Sequence, residues 1–486
     1  MSDSSNHDWL PSELELAPER MRELGYRVVD LLVDRYAGLR AERAWRGATR
    51  AELDARLGEA APESPTPFET VLARLVDDVL PYRAHVDHPR FFAFVPGAPT
   101  WPGVLGDLIA SGANIFQGTW LSSAGVSALE LTVLDWFCRW VGFPEGAGGL
   151  FLSGGSAANL TALACARASR YGAHRSDLVV YCSAETHSSA PRAARVLGFA
   201  DERIRTVAVD DEDRVRVDAL ASMVLADRAA GLEPFLLVAN AGTTSTGAVD
   251  PLDALAELCA RERLWLHVDA AYGGFAVLTE EGRRLFRGLE RADSIAMDAH
   301  KWLFQPFEAG CLMVKDVRRL EAAFSVRPEY LQDTDWGSEH PNFGDRGLQL
   351  SRSFRALKVW MSIQVFGMAA FRRAVASGID LARRAEEYVR ASDVLQIANP
   401  ASLGIVCFRV NPRAHELDDA RLEQVNEGVQ ARVIDAGIAM MSSTRLRGLY
   451  SLRLCILNHN TAWSDVLRTL EAIERFGTEA IEGFER

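Results

Sequence analysis

The chain has 486 residues, of which 48% are hydrophobic and 24% charged, with a formal net charge of −13. These values exclude a mostly disordered chain, a collagen and a coiled-coil rod, and length alone suggests about two to four folding units with ample core. A surface this acidic repels phosphate backbones, so no nucleic-acid partner is expected.

The N-terminal stretch MSDSSNHDWLPSELEL is polar and acidic, which is wrong for a signal or transit peptide. The seven cysteines are scattered, with no CxxC or Cys/His cluster, so no disulfide framework and no metal site are expected. Reduced thiols fit a cytoplasmic location. Residues 20–40 place Met21, Leu24, Val28, Leu31, Leu32 and Tyr36 at helical spacing. A Pro-broken linker follows, and Thr66-Pro67-Phe68-Glu69 predicts an N-capped second helix. These helices are too sparse to fold alone. Leu108 to Leu129 carries no charge over 22 residues, yet its Ser, Asn, Gln, Thr and Gly content marks a buried or interfacial loop and helix, and no membrane span is expected.

From about Gly149 short apolar runs alternate with helical segments: LFLSGG, DLVVYCSAE, RTVAVD, PFLLVANAG, LWLHVDAA, DSIAMDAH and GCLMVKD. Continuous apolar strands indicate a sheet buried on both faces, and helices such as Ala157–Ser169 and Leu252–Glu262 make the domain α/β. After about Phe371 a helix (379–391), LGIVCFRV, a helix near 420–436 and YSLRLCIL read as a smaller α+β unit.

Polar residues collect at the carboxyl ends of these strands, where ligands bind on such sheets. Asp298-Ala299-His300-Lys301-Trp302 ends one strand. Desolvation there would free the Lys301 amine to attack a carbonyl; taken alone, a lysine snorkelling past Trp302 is the simpler reading. His267-Val268-Asp269-Ala270-Ala271-Tyr272-Gly273-Gly274 ends another, and Asp269 is either the partner of a cation, such as a protonated pyridine nitrogen, or a loop cap. Ser153-Gly154-Gly155-Ser156-Ala157-Ala158-Asn159 opens a helix and offers N–H groups for a phosphate, or is an ordinary Gly-rich turn. Thr186-His187-Ser188-Ser189 and Asn240-Ala241-Gly242-Thr243-Thr244-Ser245 end two more strands. Five such motifs are hard to explain as independent turns. They supply a phosphate cradle, a stacking imidazole, a carboxylate and an amine, the parts that a pyridoxal phosphate site requires.

With HPRFFAFVPGAPTWP, THSS, GTTSTGAVDP, HVDAAYGG, DAHKW and SFRALKVW in this order, the chain resembles the group II pyridoxal-phosphate-dependent amino-acid decarboxylases, especially their aromatic-L-amino-acid branch, from about Arg20 to Phe476. The resemblance implies a fold-type I, aspartate-aminotransferase-like α/β architecture with a mostly parallel central sheet. It implies an N-terminal helical dimerisation arm (1–88), a large cofactor-binding domain (89–378), a small C-terminal domain (379–486), and a homodimer with shared active sites. Lys301 would condense with the cofactor aldehyde, Asp269 would pair with the pyridine nitrogen and His187 would stack on the ring. Ser156, Ala157 and His300 would hold the phosphate, and Thr244 would lie near the ring. The loop 325–349 carries Arg327-Pro328-Glu329-Tyr330-Leu331, where Tyr330 matches the family's proton donor; related aldehyde synthases usually have phenylalanine there. Its other reading is a loop anchor.

The implied reaction is decarboxylation of an L-amino acid, aromatic for preference, to the amine and CO₂. Phe94, Val95, Pro96 and Phe116 would line an apolar side-chain pocket, whereas Trp101 reads better as core. Gly118 replaces a bulky aromatic of the animal enzymes and would enlarge that pocket. Arg453 would contact the substrate carboxylate or form a structural salt bridge. Asp298 stands where the family commonly has asparagine, an unfavourable charge beside a phosphate if ionised. The alternatives are an oxygen-dependent aldehyde synthase, a decarboxylase of glutamate or diaminobutyrate, and a catalytically silent scaffold.

Overall fold

The computed structural model describes residues 14–95, 97–172, 175–326, 336–337, 339–413 and 417–485. It divides into two compact units, Met1–His88 and Pro89–Arg486. The first holds α1 (Pro18–Gly38), α2 (Arg50–Leu57) and α3 (Phe68–Arg74). α2 is a helix that the sequence reading passed over, although Thr49 and Glu52 form a capping box at its start. At α3 the N-cap is Pro67, with no side-chain cap, so Thr66 does not serve as expected. No residue of α1 is buried.

The second unit begins with α4 (Trp101–Gly112) and α5 (Ala124–Trp140), then alternates strands and helices. β1 (Gly148–Leu152), α6 (Gly155–Tyr171), β2 (Leu178–Ser183), α7 (Ser189–Val196), β3 (Ile204–Val207), α8 (Val217–Ala229), β4 (Glu233–Asn240), α9 (Leu252–Glu262) and β5 (Trp265–Asp269) come first. α10 (Glu280–Leu285), β6 (Ser294–Asp298), α11 (Ala299–Trp302), β7 (Gly310–Val314), α12 (Arg318–Phe324) and α13 (Ala356–Ala391) complete the larger layer. The seven apolar runs become these seven strands, in the order β1-β7-β6-β5-β4-β2-β3. Neighbours are parallel from β6 through β3; β7 runs antiparallel to both β1 and β6. β2, β5, β6 and β7 are buried at every position, because helices cover both faces. Each large side chain so buried contributes roughly 1.5–3 kcal/mol, so the sheet is the stiffest platform available to a site.

One buried ion pair anchors the β1 edge. Arg352 reaches Glu130 at 2.6 Å and the Phe151 carbonyl at 2.8 Å, while Glu130 also accepts from the Phe151 N–H at 2.8 Å. Gln117 donates to the same carboxylate at 2.5 Å. The uncharged run 108–129 contributes Gln117 to this pair, but much of it, including Leu108, Ile109 and Leu121, is exposed in the single chain, so of the two expectations, buried or interfacial, the buried one is not met.

β8 (Leu395–Ser402), β9 (Ile405–Val410), α14 (Asp419–Asp435), β10 (Ser442–Leu446), β11 (Leu449–Cys455) and α15 (Trp463–Glu485) form a second, four-stranded antiparallel sheet with helices. β8 and β10 were not expected, since NPAS and SSTR lack an apolar run. Among the described residues no helix is long and apolar enough to cross a membrane.

Candidate active site

Because β1, β2, β4, β5 and β6 are parallel, their carboxyl ends open on one edge of the sheet. A cavity of about 470 Å³ lies there, lined by Ser156, Ala157, His187, Thr244, Asp269, His300 and Lys301. The structure therefore brings together every cofactor residue the sequence singled out. Phe307 and Glu308 also line it, and sequence reasoning missed them. They precede β7, whose antiparallel course puts its start where its neighbours end, and an apolar run carries no sign of its direction.

At one end α6 begins at Gly154 and Gly155 with no side-chain cap, so the first-turn N–H groups lack intrahelical acceptors. A Cβ on Gly155 would come within 2.9 Å of the Ala271 Cβ and 3.2 Å of an Asp298 oxygen, so only glycine leaves this cradle open. Beneath it Asp298, 1% exposed, has one oxygen (Oδ1) with no hydrogen-bond partner among the described residues. Its other oxygen lies 3.1 Å from Lys301 Nζ and 3.6 Å from His300 Nε2. His300 Nδ1 accepts from the Ala309 N–H at 3.0 Å, and burial holds the imidazole below its ordinary pKa, so the neutral ring carries its proton on Nε2, toward Asp298.

At the other end Asp269 accepts from the Ala271 N–H at 3.1 Å and from Asn159 Nδ2 at 2.8 Å. These fix the carboxylate in plane and leave its remaining lone pairs for a cation. His187, whose pKa is lowered chiefly by partial burial, accepts at Nδ1 from the Ser189 N–H. Asn240 is held by the buried Asp250, which takes both its N–H at 2.6 Å and its Nδ2 at 2.9 Å. A phosphate fits the glycine cradle and helix start, an aldehyde fits the Lys301 amine, and a basic ring nitrogen fits Asp269. The donor set matches pyridoxal phosphate.

The expected substrate residues fare differently. Phe94 is 62% exposed and does not line the cavity, nor do Val95, Phe116, Gly118 or Arg453. Gly97 still lies close by, since a Cβ there would strike the His300 carbonyl at 2.2 Å. Gly118 opens no space within the chain: a Cβ there would meet the Phe116 ring at 2.3 Å and the Leu350 carbonyl at 2.4 Å. Arg453 pairs with no carboxylate among the described residues. It donates to the Phe94 carbonyl at 2.6 Å and the Ser245 carbonyl at 2.9 Å, bracing the two segments instead. Tyr330 and Pro96 lie outside the described residues.

Comparison with known proteins agrees with this geometry. The family model described as the pyridoxal-dependent decarboxylase conserved domain matches residues 51–411. An aromatic-L-amino-acid decarboxylase from Bacillus atrophaeus is 41% identical, over 97% of this chain and 98% of that protein. A phenylacetaldehyde synthase from Petunia hybrida is 32% identical, over 91% of each. The crystal structure of TDC from Oryza sativa with PLP and tryptamine superposes with a TM-score of 0.90 at 30% identity, covering 96% of this chain and 99% of that one.

Proposed function

Since the chain belongs to the pyridoxal-dependent decarboxylase family, and is thus a pyridoxal-phosphate-dependent amino-acid carboxy-lyase, we propose that its substrate is an aromatic L-amino acid, converted to the amine and CO₂. The observation that carries the choice of substrate is the 41% identity, over nearly its full length, to an aromatic-L-amino-acid decarboxylase. The exposed Phe307, which lines the cavity with its ring centroid 4.8 Å from that of His300 and tilted by 43°, adds an apolar contact suited to an aromatic side chain.

Pyridoxal phosphate, when bound, supplies the aldehyde that captures an amine and the protonated ring that accepts the electron pair released as CO₂ departs. The chain's residues do the rest. Lys301 provides the amine that holds the cofactor and gives way to substrate. Asp269, oriented by Asn159 and the Ala271 N–H, keeps a proton on the pyridine nitrogen. All five line the cavity: the N–H groups of Ser156 and Ala157, with His300, would hold the phosphate, and His187 and Thr244 would bound the ring. Tyr330 returns a proton to the substrate carbon, the assignment that favours amine over aldehyde.

The working unit is a homodimer in the cytoplasm. Its support is the N-terminal unit, where no residue of α1 is fully buried and Met21, Tyr26 and Val33 are exposed, apolar surface left for a second copy. Residues 1–88 then form the arm, 89–378 the large domain and 379–486 the small one.

A substrate panel tests the reading. Tryptophan, tyrosine, phenylalanine and dopa, with glutamate and diaminobutyrate beside them, are each incubated with cofactor-loaded protein, assaying CO₂, amine, aldehyde and ammonia. At least one of the four aromatic substrates should give amine and CO₂ in equal amounts. Release from glutamate or diaminobutyrate alone would overturn the aromatic assignment, and ammonia with aldehyde would point to the synthase reaction.

A further inference from the structure

Behind the cavity runs a continuous chain of buried polar groups. Trp265 Nε1 donates to Ser294 Oγ at 2.9 Å, and Ser294 Oγ lies 2.9 Å from His267 Nδ1. His267 Nε2 is 2.8 Å from Asn159 Oδ1. Asn159 Nδ2 reaches both Asp269 and Ser189 Oγ at 2.8 Å, and Ser189 Oγ is 2.8 Å from His187 Nδ1. Asn159, His267 and Ser294 are fully buried, so no water competes for these bonds.

Donor and acceptor chemistry allows one arrangement of hydrogens. The Asp269 carboxylate can only accept, which turns the Asn159 amide nitrogen toward it and the amide oxygen toward His267. His267 Nε2 must then carry a proton. Burial drops this imidazole to about pKa 4, so it is neutral and its Nδ1 accepts from the Ser294 hydroxyl. The second Asn159 hydrogen goes to Ser189 Oγ, whose own hydrogen is left for His187 Nδ1. The Ser189 N–H points at that nitrogen too, at 3.3 Å. His187 is thereby fixed with Nδ1 as acceptor and its proton on Nε2, the ring nitrogen left for the cavity.

We propose that Asn159 is the positioning residue that couples Asp269 to His187, aiming the carboxylate at the cavity while holding His187 as the Nε2–H tautomer. The proposal rests on the cavity being the cofactor site. Neither carboxylate nor imidazole can set these states alone, because an isolated imidazole exchanges freely between tautomers. The arrangement gives the site a fixed acceptor at one face and a fixed donor at the other before anything binds, so little reorganisation remains.

The test reads hydrogen positions in the cofactor-free chain, independently of turnover. Nitrogen-15 NMR of histidine-labelled protein at pH 7.5, with His187 assigned by its loss in His187→Gln, should show Nδ1 unprotonated and Nε2 protonated. In Asn159→Asp, of nearly equal volume, the new carboxylate can accept the Ser189 hydroxyl hydrogen, which leaves Ser189 Oγ free to accept from a His187 Nδ1–H. The His187 signals should then shift to a mixture containing at least roughly a third Nδ1–H form, equivalent to a tautomer ratio changed several-fold. Ser189→Ala, which leaves Asn159 intact, should produce a similar mixture. Should Asn159→Asp fail to fold, the wild-type spectrum and Ser189→Ala still decide. A wild-type Nδ1–H tautomer, or variants with an unchanged His187 spectrum, would overturn the proposal. Neither result depends on whether the loaded protein releases CO₂, so failure of the relay and failure of the decarboxylase reading are separable.

Discussion

Lys301 Nζ stands 3.1 Å from a carboxylate oxygen of Asp298, itself buried beneath the glycine cradle. The amine that must attack an aldehyde thus begins as one half of an ion pair, which has to open before it can react. The same carboxylate adds negative charge beside the expected phosphate.

Asp298→Asn should relieve both effects. With the ion pair gone and no buried carboxylate facing the phosphate, cofactor should half-saturate the protein at roughly tenfold lower concentration. Absorbance titration of the cofactor-free protein at neutral pH measures this. Weaker binding would mean that Asp298 assists loading.

Gly155→Ala should close the cradle. The added Cβ faces the Ala271 Cβ at 2.9 Å and an Asp298 oxygen at 3.2 Å, with little room to yield. The variant should keep a near-native melting temperature but bind cofactor at least about tenfold more weakly, since a displaced helix start loses N–H contacts to the phosphate, each charge-assisted and worth about 1.5–3 kcal/mol. Comparing cofactor titration with thermal unfolding separates the two.

Arg352→Met should destabilise the fold by about 3–5 kcal/mol, because it leaves the fully buried Glu130 charge without its partner. Urea unfolding should show a lower midpoint. A cost under 1 kcal/mol would show that Gln117 and the Phe151 N–H suffice.

Acid should weaken the protein through His267. Its folded-state pKa lies near 4 against an ordinary 6.5, the result of burial. For a depressed histidine the unfolded chain takes up the proton first, so this stability is present above pH 6.5 and is lost as pH falls from 6.5 toward 4. The loss is on the order of 3 kcal/mol. His267→Gln, which can still donate to Asn159, should flatten that part of the profile of melting temperature against pH; an unchanged slope would assign the acid loss elsewhere.

The sheet was legible because burial on both faces writes each strand as an unbroken apolar run, and the cofactor residues because they stand next to those runs. Lys301, Asp269 and His187 stood out because five polar motifs end five strands, while their individual roles came from the family resemblance. Phe307 and Glu308 escaped because strand direction is a property of pairing. Phe94 and Phe116 were assigned to the pocket on side-chain type, whereas exposure and the crowding at Gly118 depend on segments over 200 residues away, such as Leu350. Asn159 and Ser189 lay inside recognised motifs, but their tie to Asp269 and His187 spans three separate strand ends and exists only in the fold.

The account turns on Lys301 carrying out decarboxylation of an aromatic amino acid. Carboxyl-labelled substrate, chosen from tryptophan, tyrosine, phenylalanine and dopa, is given to cofactor-loaded wild type and to Lys301→Ala, counting labelled CO₂ and amine together. The prediction is one CO₂ per amine from the wild type, and at least about a thousandfold less from Lys301→Ala, as expected when a covalent catalytic group is removed. Labelled CO₂ released equally by both proteins, or by neither with any of the four substrates, would contradict it.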